Sequence, residues 1–285
     1  MNETYTLTIQ CEDRPGLVSA VASALASHGG NIVEAAQFND RETGRFFMRV
    51  EFDLADADAL ASFEDAFGRL AQSHGMRWRL RRNATPTKVL ILVSKLDHCL
   101  GDLLYRRRIG ELPMDVVGII GNHPRDALTI SLSGGSPYHH LPITRDTKLQ
   151  QEAQIRAMVE GTGAELVVLA RYMQILSDGM ASYLSGRCIN IHHSFLPGFK
   201  GAKPYHQAHA RGVKMIGATA HYVTADLDEG PIIHQDVEAI SHADTADDLV
   251  RKGRDIERRV LSEAVRLHLQ DRVQLDNNKT VVFRN

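Results

Sequence analysis

The sequence predicts an α/β protein with two domains, a ferredoxin-like βαββαβ sandwich followed by a doubly wound, mostly parallel sheet. The first part of the 285-residue chain carries strand-like and helix-like segments in the order βαββαβ. In the rest, short continuous apolar segments alternate with helical ones, which is typical of strands buried on both faces of a parallel sheet. The polar, proline-containing segment 83–88 separates the two parts, so we assign residues 1–83 and 84–285 to them.

The elements of the first domain follow from hydrophobic periodicity and turn residues. Residues 5–11 alternate in polarity and predict a strand, which the turn sequence EDRPG ends. Leu17, Val21 and Leu25 have the spacing of a buried helix face, and Gly29 and Gly30 end that helix. The remaining segments predict two strands joined by a turn, a second helix and a fourth strand, at 31–39, 45–53, 57–73 and 76–82.

The second domain shows buried strands between helices. Apolar segments predict strands at 89–94, 114–120, 138–143, 164–170, 187–192, 215–223 and 231–240. Helical spacing predicts helices at 99–109, 148–162 and about 245–270, and a terminal hairpin turns at Asn277 and Asn278. Residues 124–137 have few apolar side chains, and their sequence leaves helix and loop equally open.

Composition restricts the class of protein. The formal net charge is −2, so a nucleic-acid partner is not expected. Cys11, Cys99 and Cys188 are odd in number and far apart, which excludes a disulfide framework or a CxxC metal pair. The N-terminal sequence has no basic region followed by an apolar segment, and no apolar stretch reaches membrane-spanning length. We therefore expect a cytoplasmic protein without membrane contact.

Asn190 and His192 end a predicted strand and share one of its faces, because side chains alternate along a strand. Open α/β sheets bind ligands beyond the carboxyl ends of their strands. There an amide can donate to a developing oxyanion, and an imidazole can donate or accept a proton near neutral pH. The pair indicates carbonyl chemistry, with a structural hydrogen-bonded pair as the alternative. By the same alternation His193 points to the opposite face and is expected to be structural.

A second group of polar residues lies downstream in GATAHYVTADLDEGPIIHQ. His221 falls in a predicted strand, and Asp226, Asp228 and Glu229 fall in the loop that follows it. A loop carboxylate is usually only solvated. One of these three, however, could reach an active-site histidine such as His192 and help to order a water molecule.

These two segments resemble the formyltransferase fold and, within it, the formyltetrahydrofolate deformylases. The shared motifs are NIHHSFLPGFKG and GATAHYVTADLDEGPIIHQ, together with SKLDHCLGDLL and KPYHQA. The N-terminal part, with EDRPGLV at its turn into a helix, resembles an ACT module. The resemblance covers nearly the whole chain, and an ACT module joined to this fold is the pattern of the deformylases.

The resemblance implies hydrolysis of 10-formyltetrahydrofolate to tetrahydrofolate and formate, which supplies formate to purine synthesis and balances the one-carbon folate pools. It assigns catalysis to Asn190, His192 and Asp228. It implies no cofactor and no metal, since folate is the substrate, and it favours a homo-oligomer, either a dimer or a tetramer. It places the folate pocket between the segments Ala170–Leu176 and Ala225–Asp228. The residues assigned to folate binding are Met173, Gln174, Ile175, Leu176, Ala225 and Asp226, together with His221.

The ACT resemblance implies a possible amino-acid effector. Contacts are expected at the first turn, from Asp13, Arg14 and Gly16, and from Asn31 after the first helix. Glycine and methionine are the favoured effectors. A domain that serves association alone is the alternative.

Three other classes of protein fit less well. A zinc hydrolase needs a tight ligand pair such as HExxH, whereas His206 and His209 lie three residues apart and His139 and His140 are adjacent. Ser194 lies in HHSFL and not in the GxSxG elbow of serine hydrolases. A pure amino-acid sensor is possible from the ACT-like part, but it would leave Asn190, His192 and Asp228 unexplained.

A formyltransferase acting on glycinamide ribonucleotide is the closest alternative. The resembled transferases hold the phosphate of this acceptor with a glycine-rich loop after the first strand. Here that strand runs into KLDHCLGDLL, where the first glycine, Gly101, already lies inside a helix. Asp97 at the helix entry would repel a phosphate, although the positive charge of Lys95 offsets part of this repulsion. The side chain of Asp97 is instead expected to cap the helix. The sequence therefore favours water as the nucleophile.

Overall fold

The computed structural model describes residues 3–55, 57–132, 135–198 and 204–284, which form two compact units. The first unit contains Met1–Pro86 together with Gln270–Gln274 and Val281–Asn285. The second contains Thr87–Leu269 and Leu275–Thr280. By their contacts, two short C-terminal segments thus group with the N-terminal part, although the sequence-based division places them in residues 84–285.

The first unit is an antiparallel sheet with two helices in the predicted βαββαβ order. Its elements are β1 (Glu3–Glu12), α1 (Leu17–Ser27), β2 (Asn31–Asp40), β3 (Arg45–Leu54), α2 (Ala57–His74) and β4 (Arg77–Arg82). The strands lie in the order β2-β3-β1-β4. Leu17, Val21 and Leu25 of α1 are buried as their spacing predicts, and they join a core that includes Phe63 and Phe67 of α2.

Polar side chains attach the C-terminal segments to strands β2 and β3 within this unit. Arg49 and Arg272 both bind the Oε2 atom of Glu34, at 2.8 and 2.7 Å. Gln274 donates a hydrogen bond of 2.9 Å from Nε2 to the carbonyl of Met48. The hydrogen bond from Arg272, opposed by burial and aided by the charges of both arginines, lowers the pKa of Glu34.

The second unit is a seven-stranded, mostly parallel sheet in the order β11-β10-β9-β8-β5-β6-β7. Its strands are β5 (Thr87–Val93), β6 (Met114–Gly121), β7 (Tyr138–His140), β8 (Leu166–Ala170), β9 (Cys188–His192), β10 (Met215–Tyr222) and β11 (Ile232–Ala239). Its helices are α3 (His98–Arg108), α4 (Lys148–Thr162), α5 (Asp178–Tyr183), α6 (Pro204–Arg211) and α7 (Ala246–Leu269). Strand β10 pairs antiparallel with β9 and with β11, and the other pairings among the described strands of this sheet are parallel.

The parallel strands have the continuous burial that their apolar sequences predict. In β8, for example, Leu166, Val167 and Val168 are fully buried. A terminal hairpin, β12 (Val273–Asp276) and β13 (Lys279–Val282), turns at Asn277 and Asn278, and the positive φ of 54° at Asn277 suits asparagine in such a turn. The hairpin prediction is confirmed.

Residues 124–137, which the sequence leaves open, contain no long helix among the residues that the structure describes there. They include one short 3-10 turn, Arg125–Ala127, and precede β7. Residues 133 and 134 of this segment lie outside the described residues. No helix in the described ranges combines the length and the apolar character needed to cross a membrane.

The expected helix cap by the side chain of Asp97 is wrong. Asp97 is the N-cap residue of α3, but its carboxylate makes no capping hydrogen bond. Instead Oδ2 accepts hydrogen bonds from the backbone N–H groups of Thr129 and Ile130, at 2.5 and 2.9 Å. The carboxylate thus connects the segment after β6 to the start of α3 by hydrogen bonds. Such contacts between residues distant in sequence cannot be predicted from the local sequence.

Candidate active site

Strands β9 and β10 bring Asn190 next to His221. The two residues are opposite each other in the antiparallel register, so their side chains lie on the same face of the sheet. The Nδ2 atom of Asn190 is 3.3 Å from Nε2 of His221. His192, two residues further along β9, lies on this face as well.

Asp228 reaches back to both histidines from the loop between β10 and β11. Its Oδ1 atom is 3.2 Å from Nδ1 of His192 and 3.7 Å from Nε2 of His221. The residue has a φ of 58°, a left-handed conformation that aspartate tolerates better than most residues. The structure therefore brings Asn190, His192 and Asp228 together, with His221 between the amide and the carboxylate.

The carboxylate of Asp228 stays charged in this position. Burial acts to raise its pKa, but the two imidazoles outweigh that effect and lower the pKa well below its ordinary value.

The ring nitrogens of His192 have different surroundings. Nδ1 faces Asp228, whereas Nε2 is buried and has no hydrogen-bond partner within the described part of the chain. A buried polar nitrogen without a partner is uncommon and indicates a position for a ligand or a water molecule. In His221, Nδ1 lies 2.9 Å from the carbonyl of Tyr222, so the network assigns a proton to that nitrogen.

Gly230 allows the Asp228 loop to pass close to β10. A Cβ atom at this position would lie 1.8 Å from the carbonyl oxygen of Tyr222. The backbone N–H of Tyr222 in turn donates to the carbonyl of Pro231 at 2.9 Å. A side chain at Gly230 would therefore push the loop, and Asp228 with it, away from the histidines.

A cleft beside these residues is lined by most of the predicted folate-pocket residues. Six of the seven line it, namely Gln174, Ile175, Leu176, His221, Ala225 and Asp226. Met173 does not line it; its side chain is 55% exposed and its φ is 59°. Sequence reasoning missed Leu169, Val223 and Thr224, which line the cleft directly beside the predicted segments, whereas Leu227 lies inside the predicted segment Ala225–Asp228.

Buried polar contacts anchor both ends of the 171–177 loop. Tyr172 donates from its hydroxyl to Oε1 of Gln151 at 2.8 Å. Glu152 accepts hydrogen bonds from the N–H and the hydroxyl of Ser177, at 2.8 and 2.5 Å. Since Gln151 and Glu152 both belong to α4, this helix fixes the wall of the cleft that the loop provides.

Strand alternation predicts that His193 points to the face opposite to His192, and this prediction is wrong. The strand ends at His192, and the chain then bends, so that the two imidazole rings lie 5.1 Å apart at their centroids. Burial and then the positive charge of Arg171 lower the pKa of His193 to about 4, so this ring is neutral at physiological pH.

A larger cavity of about 400 Å³ lies between β10, β11 and α6. Its lining is mainly apolar and includes Phe195, Ala208 and Met215, with His193 and Tyr205 at its edge. The polar side chains able to donate to an oxyanion or to move a proton converge in the smaller cleft. We therefore assign the chemistry to the cleft.

Within the described residues, one group has the geometry of a metal site, formed by His98, Cys99 and Glu257. The Nε atom of Arg171 lies 3.2 Å from Oε2 of Glu257, so a cation would have to displace a guanidinium from the same carboxylate. Burial raises the pKa of the Cys99 thiol well above its ordinary value, which keeps the better ligand form, the thiolate, unpopulated. The group is better described as an ion-pair network.

The expected effector contacts in the first unit are only partly brought together. Asp13 and Arg14 line a polar cavity of about 510 Å³ with Glu12 and with residues 73–75. Gly16 lies next to them as the N-cap of α1, with a φ of 93°. Asn31 lies at the other end of β3, because it pairs with Asp53 whereas Glu12 pairs with Arg45, a separation of about 26 Å at about 3.3 Å per residue.

Comparisons with known proteins agree with this architecture. The formyl transferase family matches residues 87–265, and the ACT domain family matches residues 5–68. A formyltetrahydrofolate deformylase from Corynebacterium sp. (strain P-1) is 52% identical over 98% of both chains. The crystal structure of formyltetrahydrofolate deformylase from Burkholderia mallei is 50% identical, covers 99% of this chain and all of its own, and superposes with a TM-score of 0.94.

A transferase of the same fold is a more distant relative. Glycinamide ribonucleotide transformylase 1 from Symbiobacterium toebii is 29% identical, with a TM-score of 0.62, over 70% of this chain and 95% of its own. The deformylases match both domains at higher identity. The chain therefore belongs to the formyltetrahydrofolate deformylase family.

Proposed function

We propose that the chain hydrolyses 10-formyltetrahydrofolate to tetrahydrofolate and formate, with Asn190, His192 and Asp228 as the catalytic residues. The proposal rests mainly on the Nε2 atom of His192, which is buried and has no hydrogen-bond partner within the described part of the chain. The amide of Asn190 belongs to the same site, and the ionised carboxylate of Asp228 faces the other ring nitrogen of His192. Such a set of groups suits a carbonyl carbon that passes through a tetrahedral oxyanion.

The proposed reaction begins with attack of water on the formyl carbon. Asp228 holds this water in position and keeps His192 charged, while Asn190 and protonated His192 donate hydrogen bonds to the oxyanion. The bond from carbon to N10 then breaks as the proton released by the attacking water passes to N10, and formate leaves. Asn190, His192 and Asp228 supply the polar groups that these reaction steps need, so the proposed mechanism uses no cofactor.

The folate ring system is placed in the cleft between the 171–177 loop and the 223–228 loop. The exposed apolar residues Ile175 and Leu227 line this cleft, one from each loop. An aromatic, hydrogen-bonding ring fits an apolar cleft with a few polar groups. We assign Gln174, Ile175, Leu176, Ala225, Asp226 and His221 to folate binding, with Met173 at the rim.

The test is a formate-release assay with 10-formyltetrahydrofolate, run with and without an amine acceptor. We expect one formate for each tetrahydrofolate formed, at a rate that glycinamide ribonucleotide does not change. Formylated glycinamide ribonucleotide as the main product would contradict the proposal and favour a transferase.

We further propose an amino-acid effector for the ACT domain, with glycine and methionine as the first compounds to test. The polar cavity next to Asp13 and Arg14 supports this, since a carboxylate and a guanidinium match the two charged groups of an amino acid. Exposed apolar side chains on the edge strand β2, among them Val33 and Phe38, support a homo-oligomer, which sedimentation would measure as a dimer or tetramer. The reaction is placed in the cytoplasm, where its formate would serve purine synthesis and the folate pools would be balanced.

A further inference from the structure

The sheet of the second unit has a topological switch point between β5 and β8. After β5 the chain adds β6 and β7 on one side of it, and then returns to add β8, β9 and β10 on the other. Doubly wound sheets commonly bind a ligand in the crevice beyond the carboxyl ends of the strands at such a point. This position lies one strand away from the proposed catalytic residues, because Leu169 of β8 pairs with Asn190 of β9.

In this protein a network of buried polar side chains occupies that position. Arg171 follows β8 directly, and His98 is the first residue of α3, which follows β5. Glu257 reaches them from α7, with Oε2 at 3.2 Å from Nε of Arg171 and 2.8 Å from Nε2 of His98. Tyr205 of α6 completes the network, as its hydroxyl donates to Oε1 of Glu257 at 2.8 Å.

The network is closed to solvent and its charges are matched. The side chains of Arg171 and Glu257 are only 8% and 1% exposed. Burial acts to raise the pKa of Glu257, but His98, Arg171 and Tyr205 outweigh it and lower the pKa. A carboxylate that remains ionised in such a position holds its partners in place, since His98 and Tyr205 would otherwise lose a buried hydrogen bond and Arg171 a buried ion pair.

The backbone of Arg171 supports the same view. Its φ is 63°, a left-handed conformation that is uncommon for a long side chain. Such a conformation persists only where the surroundings hold it, and it directs attention to a role for the residue. The ion pair with Glu257 and the packing of α7 against α3 and α6 provide these surroundings.

We propose that the Arg171–Glu257 pair, with His98, seals the switch-point crevice and thereby excludes an amine as formyl acceptor, so that water is left as the nucleophile. This rests on the proposed hydrolysis. In aminolysis the amine nitrogen would bond to the formyl carbon, the bond to N10 would break, and one proton would pass from the amine to N10. Water needs far less space for the corresponding step, and a sealed crevice therefore selects it.

The test measures how formyl groups divide between water and an amine. Wild type, Arg171→Ala/Glu257→Gln and His98→Ala receive 10-formyltetrahydrofolate with glycinamide or glycinamide ribonucleotide, and formate and the formylated amine are quantified by mass spectrometry. The double variant opens the crevice without leaving an unpaired buried charge, and His98→Ala opens it from the α3 side with the ion pair intact. Arg156→Ala is the matched control, since Arg156 is an exposed arginine on α4.

We expect at least one opened variant to raise the ratio of formylated amine to formate by about tenfold or more, a change typical of a pocket that gains or loses a substrate group. Wild type and Arg156→Ala should give formate alone. The inference is overturned if every opened variant that folds divides formyl groups between water and the amine as wild type does. It is also overturned if wild type already formylates the amine. A wild type that releases neither formate nor formylated amine would instead refute the proposed function.

Discussion

The Oδ1 atom of Asp228 lies 3.2 Å from the Nδ1 atom of His192, within reach of a charge-assisted hydrogen bond. The contact turns the other ring nitrogen, Nε2, toward the position where the formyl oxygen is proposed to bind. The direction of the imidazole is thus set by a carboxylate whose pKa the two histidines lower against the opposing effect of burial.

The first prediction concerns the three catalytic candidates. Removing a single oxyanion donor typically lowers turnover by about 10²–10³. We expect losses of that order or more for Asn190→Ala, His192→Ala and Asp228→Asn, with unfolding transitions close to that of wild type. Formate release under saturating substrate measures the effect.

Asp247→Asn is the control for these variants, because Asp247 is an exposed carboxylate in the first turn of α7. Near-normal formate release by His192→Ala would show that the proposed mechanism is wrong. Equal losses in the control would point to an effect of net charge instead.

The second prediction uses the pKa of His193. In the unfolded chain, this histidine becomes protonated as the pH falls through its ordinary pKa of about 6.5. In the folded protein, it becomes protonated only as the pH falls through its lowered pKa of about 4. Between these values the unfolded state binds more protons, so the free energy of unfolding falls as the pH falls, by about 1.4 kcal/mol per pH unit at most.

His193→Gln should therefore flatten the pH dependence of stability between about pH 6.5 and 4 while retaining most of the hydrolysis. Arg171 and His192 lower the pKa of His193, and Glu257 and Asp228 oppose them, so these groups must stay unchanged in the comparison. His193→Ala should also lower stability at neutral pH, since it removes a half-buried ring that packs against His192 and Tyr205. The prediction is refuted if the free energy of unfolding in urea changes with pH to the same extent in wild type and in His193→Gln across this range.

Local pattern was enough to predict much of this fold. The strands of the parallel sheet are apolar throughout, and α1 has helical spacing at Leu17, Val21 and Leu25, so their elements follow from sequence alone. The six residues of α5 are too few to show a period, and that helix depends on the Ser177 cap, whose hydroxyl accepts from the N–H of Met180 at 3.2 Å. Short elements of this kind are recognised only from their contacts.

The candidate site was predictable where its residues share a motif and not where they meet through tertiary contacts. Asn190 and His192 share a strand face, and the family resemblance supplied Asp228. The roles of Glu257, His98 and Arg171 depend on three elements far apart in sequence, which meet at one point in the structure. The bend after His192 also moved His193 away from the position that alternation predicts.

The third prediction concerns the close approach at Gly230. Gly230→Ala should shift the Asp228 loop, because the added Cβ would meet the carbonyl oxygen of Tyr222 at 1.8 Å. We expect turnover to fall by about tenfold or more as Asp228 moves from His192, since a misplacement of about 1 Å can cost that much. Gly161→Ala is the control: this glycine lies in α4 with open space around it, and alanine there should stabilise the helix by about 0.5–1 kcal/mol. Normal activity in Gly230→Ala would show that the loop tolerates displacement.

The fourth prediction concerns the anchor of the folate loop. Glu152 accepts two hydrogen bonds from Ser177, and glutamine can accept only through its amide oxygen. Glu152→Gln should loosen the 171–177 loop and raise KM several-fold, with a smaller change in kcat, because the loop lines the cleft and carries none of the catalytic candidates. Glu160→Gln, an exposed residue of the same helix, provides the comparison. A fall in kcat at unchanged KM would assign the loop a role in the chemical step.

The last prediction separates the effector contacts in the ACT domain. Arg14 lines the polar cavity together with Asp13, whereas Asn31 lies at the far end of β3. If an amino acid binds in this cavity within one chain, its carboxylate pairs with Arg14 and its ammonium group with Asp13. Arg14→Ala should then abolish the heat of binding and the change in hydrolysis on adding glycine or methionine, and Asn31→Ala should leave both unchanged. An equal loss in Asn31→Ala would place the effector between two chains, since about 26 Å separates the residues in one chain at about 3.3 Å per strand residue. Calorimetry of wild type against a panel of amino acids with no heat and no change in rate would leave association as the role of this domain.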